Sequence, residues 1–437
     1  MENSSAVTSL FSFIENSPTP FHAVSCLRQR LLEAGFRELQ EGAPWAADGF
    51  SKGFVVRGGS LIAFSLHPDA LLTNGLRIIG AHTDSPALQI KPKLNRQRAT
   101  YLTAGVEAYG GALLRSWFDR DLSLAGRACY RTADGNGDMV LVDFKRPVVC
   151  IPSLALHLNR KVNEGQEINV HHDLCPIIGL STDHAPATLQ ELLLDRIKDT
   201  RPDLSVVEVL GFDLFCYDLG KPSLTGLDRE FIAAPRLDNL LSCYVGVEAL
   251  CQHQGPTNCL LVCLNHEEIG STSHSGAVGS FSGTVIDRLI PTAQERAVCL
   301  HHSLLLSLDN AHATHPNFRD KSDDNHEILL NRGPVIKINA GQRYSSTARS
   351  AALFRIIAEE ANLLTQDFVM RSDMACGSTI GPLAAARIGV DAVDVGAPTW
   401  GMHAIREVTG AEDPGLLLRA ACHFFDRPSL PTISERW

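Results

Sequence analysis

Five short segments of this sequence gather side chains that can hold a metal ion or move a proton. They are Ala81-His82-Thr83-Asp84-Ser85-Pro86, Arg236-Leu237-Asp238-Asn239, Asn265-His266-Glu267-Glu268-Ile269-Gly270, Asp309-Asn310-Ala311-His312 and Gly401-Met402-His403-Ala404. Each has a plainer reading when taken alone. A histidine after a strand is usually a hydrogen-bonded core or surface residue, Asp238 could cap a helix, Glu267-Glu268 could be a solvated pair, and Asp309 could cap a turn. Taken together these readings weaken, because adjacent carboxylates at the end of an apolar run are costly without a cation or solvent. Two histidines and three carboxylates form the mixed nitrogen and oxygen set that suits a pair of zinc or similar divalent ions. One carboxylate must then bridge both ions, and another nearby must accept a proton from water. The Glu267-Glu268 doublet can supply a base and a ligand from one strand end.

The elements around these segments predict how they meet. Leu76 to Gly80, Cys259 to Leu264, Ser303 to Leu308, Val335 to Ile338 and Ala392 to Val395 read as strands. Leu237 to Cys251 and Thr347 to Leu364 have helical length and spacing, and residues 6 to 40 read as two helices broken at Ser17-Pro18-Thr19-Pro20. Strands that are apolar throughout and alternate with helices predict an α/β fold, a mostly parallel sheet covered by helices on both faces. In such a sheet the carboxyl ends of the strands converge on one crevice, and four of the five segments fit that placement. The stretch from 92 to 230 reads differently. It holds short strand-like runs, a hairpin turn at Asp134-Gly135-Asn136-Gly137 and one helix from Thr188 to Lys198. The expected organisation is a catalytic domain of residues 1–91 and 231–437 with an inserted β-rich domain at 92–230.

Composition narrows the class further. Of 437 residues, 44% are hydrophobic and 20% charged, as in an ordinary globular enzyme. The formal net charge of −10 argues against a nucleic-acid partner, which would need a basic face. No apolar run approaches the roughly 20 residues of a transmembrane helix, and Met1-Glu2-Asn3-Ser4-Ser5 lacks the features of a secretory signal. The twelve cysteines are scattered without a CxxC pair, which points to reduced thiols in a cytoplasmic protein, and without a long apolar run no membrane partner is expected.

The motifs AHTDSP, RLDN, NHEEIGS, DNAHATHPN and GMHAIRE together make the whole chain resemble the aspartyl aminopeptidases, a family of dinuclear zinc enzymes. The resemblance implies that His82, Asp238, Glu268, Asp309 and His403 ligate two divalent metal ions per subunit, zinc by expectation, with Asp238 bridging. It implies Glu267 as general base, and Asp84 as the residue that holds the His82 imidazole in its ligating tautomer. Lys337 matches the family lysine that faces an acidic substrate side chain, and its plainer reading is an exposed strand cation. His157 matches a histidine presented to a neighbouring subunit's active site, and a core histidine fits that segment equally well. His312 and Tyr344, the latter within Gln342-Arg343-Tyr344, are expected to line the substrate pocket. The implied reaction is removal of an amino-terminal Asp or Glu from short peptides by a metal-activated water. The implied assembly is a homo-oligomer, a dodecamer built from dimers, with the inserted domain serving assembly and closing the active-site cavity. Two other classes stay open at this point: a related bimetallic deacylase or carboxypeptidase, and a non-catalytic oligomeric assembly protein of the same fold.

Overall fold

A computed structural model of the chain describes residues 2–45, 51–67, 70–94, 100–180 and 188–434. The chain divides into two compact units, one of Met1–Asp84, Pro222–Met402 and Glu407–Trp437, the other of Ser85–Lys221 and His403–Arg406. The expected insertion began at 92. The observed boundary falls earlier because the strand Ala87–Leu94 pairs with Tyr101–Tyr109 and Val206–Asp218 of the second unit.

The first unit is built on a nine-stranded sheet. Its order is Arg37–Glu38, Lys52–Arg57, Ser60–Ser65, Asn258–Leu264, Leu76–His82, Leu304–Leu308, Asp391–Gly396, Val335–Ile338 and Gln366–Val369. Four neighbouring strands at its centre, Asn258–Leu264 to Asp391–Gly396, are parallel. Antiparallel neighbours, Ser60–Ser65 and Val335–Ile338, flank them. Every residue of Asn258–Leu264, Leu76–His82 and Leu304–Leu308 is buried. That is why these strands read as continuous apolar runs with no period-two alternation.

Alternate side chains feed two cores. Leu306, Leu308, Leu261 and Ile79 pack with the helices Pro20–Glu33, Leu237–Gln252, Ala348–Glu360 and Asp413–Asp426. Ile78, Leu260 and Leu305 pack with Phe281–Leu289 and Ile380–Ile388. Helices therefore cover both faces, as the sequence predicted. The break at Ser17-Pro18-Thr19-Pro20 does separate two helices, Glu2–Glu15 and Pro20–Glu33, because proline is tolerated at the first helical position but not inside.

One sheet was not anticipated. Five short strands pair in the order Ser223–Thr225, Phe231–Ala234, Glu407–Gly410, Pro398–Trp400 and Ala311–His312. Runs of two to four residues carry too little periodicity to register in a sequence. This sheet has a direct structural use, since it sets Glu407 opposite Ala234, just ahead of the helix that carries Asp238.

The second unit is an antiparallel sheet in the order Gly137–Asp143, Leu122–Thr132, Val206–Asp218, Ala87–Leu94, Tyr101–Tyr109 and Ile177–Leu180. The expected hairpin joins Leu122–Thr132 to Gly137–Asp143, with Gly135 at φ +87° and the Asp134 carboxylate accepting from the Asn136 N–H at 3.2 Å. The helix Leu189–Thr200 buries Leu189, Leu193 and Ile197 in this unit's own core, and the Thr188 hydroxyl caps its start by accepting from the Glu191 N–H.

Candidate metal centre

His82 is the last residue of Leu76–His82, so the strand itself delivers its imidazole to the carboxyl end of the sheet. On the neighbouring parallel strand, Asn258–Leu264, the chain turns sharply at His266 (φ +69°) into a single helical turn at Glu267–Ile269. Asp309 follows Leu304–Leu308 and is still tied to the sheet, its N–H donating to the Val395 carbonyl at 3.0 Å. Asp238 arrives from the start of Leu237–Gln252, where Arg236 stands at φ +57° and Asp238 itself is non-helical. Its role there is not that of an N-cap, because it lies inside the helix start and its own N–H donates to the buried Glu407 carboxylate at 2.9 Å.

These four arrivals converge. One ligand atom each from His82, Asp238 and Glu268 lies within 4.8 Å of the others. His82 Nε2 stands 3.4 Å from Asp238 Oδ1, and 4.0 Å from both Glu267 Oε2 and Asp309 Oδ1. Asp84 sits behind them, fully buried. Its two carboxylate oxygens accept the N–H groups of Glu267 and Glu268, each at 3.2 Å, and one lies 3.5 Å from His82 Nδ1. Asp84 thus fixes the imidazole and the carboxylate doublet together. The His82 carbonyl is held in turn by the buried Cys243 thiol at 3.0 Å.

Burial and mutual repulsion dominate the electrostatics of the cluster. Burial, reinforced by Asp309, Glu268 and Asp238 against a partial offset from His82, pushes the Glu267 carboxyl up to about 8. Asp309 is raised to about 6, chiefly by burial, with Lys337 working in the opposite direction. Burial alone would lower His82, yet hydrogen bonds to Asp238 and Asp84 raise it well above the ordinary histidine value. Several carboxylates crowd one imidazole, and either proton uptake or a bound cation relieves such crowding. Imidazole and carboxylate are the zinc donor types, so the residues present fit that ion.

The remaining expected residues fall in two places. Lys337 is not an exposed strand cation. It is 2% exposed, its Nζ donating to the Asn310 carbonyl at 3.0 Å and lying 3.6 Å from Asp309 Oδ2. The Tyr344 ring lies 5.1 Å from that same Nζ. Phe368 joins Tyr344 to the exposed His312, with ring centroids 6.3 and 5.7 Å away. His403 belongs to the second unit, where its Nδ1 meets the Gly111 carbonyl at 3.1 Å. His157 lies in the second unit too, exposed among Leu154, Leu156 and Leu158, and it is not a core histidine of this chain.

Sequence reasoning missed three supporting groups: Glu407, Cys243 and Asp394. Asp394 carried a readable signal, a lone charge inside the apolar run from Ala392 to Val395.

A family model described as "Aminopeptidase I zinc metalloprotease (M18)" matches residues 13–425 of the chain. A "Probable M18 family aminopeptidase 2" of Ectopseudomonas mendocina (strain ymp) is 46% identical over 429 residues, spanning 97% of this chain and 99% of that protein. The cryo-EM structure of the Ape4 and Nbr1 complex superposes with a TM-score of 0.93 at 34% identity, covering 97% of this chain and 86% of the other. The S. cerevisiae mApe1 dodecamer superposes with a TM-score of 0.83 at 27% identity, covering 98% of each chain.

Proposed function

We propose that this chain, which belongs to the M18 family of zinc metalloproteases and is an aminopeptidase, preferentially removes amino-terminal Asp or Glu from short peptides. The observation that carries the reading is the meeting of two groups in one unit. The cluster of buried His82, Asp238 and Asp309 with the half-buried Glu267 and Glu268 is joined, through Asp309, to the buried cation of Lys337.

His82, Asp238, Glu268 and Asp309 are the residues of this unit that would hold the zinc. Bound zinc supplies Lewis acidity toward the scissile carbonyl and lowers the pKa of water. Glu267 takes a proton from the attacking water at its carboxylate and delivers it to the leaving amine nitrogen. Its placement suits that task, since its backbone is fixed by Asp84 and its side chain is beside the ligands. Asp84 orients the His82 imidazole. Lys337 has three N–H donors, of which the Asn310 carbonyl takes one, while Asp309 Oδ2 lies 3.6 Å from Nζ as an ion pair. A remaining donor is placed in this reading on the substrate's acidic side chain, with Tyr344 and His312 forming the wall of that pocket.

We further propose a homo-oligomer, with His157 reaching a neighbouring subunit's active site. The support is the exposed segment at Leu154–Leu158 and the dodecameric assembly of the S. cerevisiae relative. The reading is of a cytoplasmic enzyme, and among the described residues no helix is long and apolar enough to cross a membrane.

Release rates for Asp, Glu, Leu, Lys and Ala aminoacyl substrates, with zinc analysis of the same sample, test the whole reading. Asp and Glu should lead, with two zinc ions per chain. N-acetylated peptides should be refused, and their acceptance would identify a deacylase instead.

A further inference from the structure

Asp394 is fully buried on Asp391–Gly396, and its carboxylate lies at a junction of three elements. Oδ1 accepts from the Ser307 hydroxyl at 2.7 Å and the Thr379 hydroxyl at 2.6 Å. Oδ2 accepts from the Ser345 N–H at 2.6 Å and the Ser345 hydroxyl at 2.5 Å. The Asp394 N–H donates to Ser346 Oγ at 3.0 Å, closing the attachment to that segment. Among the described residues no cation stands within ion-pair distance of it. All four donors are neutral, and a carboxylate, which only accepts, is the side chain that can satisfy them all from two oxygens. Gly381 packs closely against this carboxylate, since a Cβ there would meet Asp394 Oδ2 at 2.5 Å.

The three arms lead to different destinations. Ser307 lies two residues before Asp309, and Thr379 caps the helix Ile380–Ile388. Ser345 follows Tyr344, whose ring is 5.1 Å from Lys337 Nζ. The turn carrying Tyr344 has exposed residues at Gly341, Gln342 and Arg343 and leads directly into the helix Ala348–Glu360. Its firm attachment at the buried end is therefore the pair of serines held by Asp394.

We propose that Asp394 is a positioning residue for recognition of the substrate's first side chain. Through Ser345 it fixes the turn that holds Tyr344 against Lys337. This rests on the reading of Lys337 as the acidic-side-chain determinant. Asp394 touches no substrate. Its effect is on where the cation and the aromatic wall stand.

The test is Asp394→Ala, measured with aspartyl and leucyl substrates, alongside Ser307→Ala and Thr379→Val, which cut the other two arms. Asp394→Ala removes both carboxylate oxygens, so the Ser345 N–H and hydroxyl lose their acceptor and the turn loosens. The aspartyl-to-leucyl ratio of kcat/KM should fall by about tenfold, the size expected from losing a hydrogen bond to a charged group, and the fall should lie in KM for the aspartyl substrate. The two control variants should lower Tm but leave that ratio within about twofold, as a merely structural contribution would. If Asp394→Ala does not fold, Ser345→Ala removes one donor only and should lower the ratio by about threefold. An unmoved ratio in these variants, or an equal shift in Ser307→Ala and Thr379→Val, overturns the inference while leaving the acidic preference of the wild type intact. A wild-type enzyme without that preference overturns the Lys337 reading, and this inference with it.

Discussion

The two units solve the same packing problem with opposite sheet geometries, and only one of them gathers the metal-ligating cluster. In the first, four parallel strands run the same way, so the ends of Leu76–His82, Asn258–Leu264 and Leu304–Leu308 fall on one edge, and His82, Glu267, Glu268 and Asp309 arrive together. In the second, all strand pairs are antiparallel. Successive strand ends then alternate between opposite edges, and polar groups that follow them are dispersed. Among the described residues, the group of His, Cys, Asp or Glu spaced to hold a metal ion is His82, Asp238 and Glu268, in the first unit. The second unit instead exposes Met139, Leu141, Val207 and Leu210 on its strands. Direction of chain, more than composition, decides whether polar groups at strand ends collect on one edge.

The sharpest way to break this contrast is to remove the proton acceptor at the parallel edge. Glu267→Gln keeps size and leaves the ligands untouched, so zinc content should be unchanged while kcat falls by roughly 10²–10⁴-fold. A loss below about tenfold would show that the base lies elsewhere. Asp238→Ala should strip both ions, because a bridging carboxylate neutralises two cations at once and its removal leaves them repelling. Asp309→Ala should lose less metal. Full occupancy in Asp238→Ala, read by plasma emission spectroscopy, would remove it from the bridge.

A smaller effect is expected at the pocket wall. Lys337→Ala should lower kcat/KM for aspartyl substrates by about ten- to a hundredfold, the worth of a hydrogen bond to a charged group, with leucyl substrates affected less. An equal fall for both would assign Lys337 to holding Asp309.

A further contrast appears when zinc is removed. In the metal-free chain the carboxyls of Glu267 and Asp309 are raised to about 8 and about 6, each chiefly by burial. Unfolded carboxyls titrate near about 4, so between about pH 4 and about pH 8 the folded state binds more protons and stability falls as pH rises. His82, also raised, acts in the same direction, its contribution being lost as pH climbs through its folded value. The melting temperature of chelated protein should drop by several degrees from about pH 5 to about pH 8, and zinc should flatten the curve. A metal-free curve that rises with pH would contradict the crowding of these carboxylates.

The smallest signal concerns the second unit. Inactive Glu267→Gln mixed with inactive His157→Ala should regain a fraction of activity after subunit exchange. Hetero-oligomers with no regained activity would speak against His157 acting in trans.

The strongest features were readable because they are local. An apolar run of five to seven residues followed by His, Glu or Asp announces both a buried strand and what stands at its end, and this was enough for His82, Glu267, Glu268 and Asp309. Asp238 was harder, since a carboxylate before a helical run reads first as a cap. Only the fold reveals that Glu407 holds its backbone. Burial of Lys337 was invisible because its partner is a main-chain carbonyl, Asn310, which no side-chain pattern encodes. The domain boundary near 85 shifted for a related reason. Ala87–Leu94 earns its place from strands far along the chain, and short-range periodicity carries no record of such pairing.

The five-stranded sheet also sets a timetable. Glu407 lies 169 residues beyond the Asp238 N–H it receives, and its strand must pair with Phe231–Ala234 to get there. A chain emerging from the ribosome can lay down Leu76–His82, Asn258–Leu264 and Leu304–Leu308 while Asp238 still has no anchor. Such long-range closure comes late, after loop entropy has been met by the rest of the fold. The backbone anchor of Asp238 is therefore completed only when nearly the whole polypeptide has been made, and a nascent chain, or one truncated before Glu407, has a half-built edge that should hold zinc weakly.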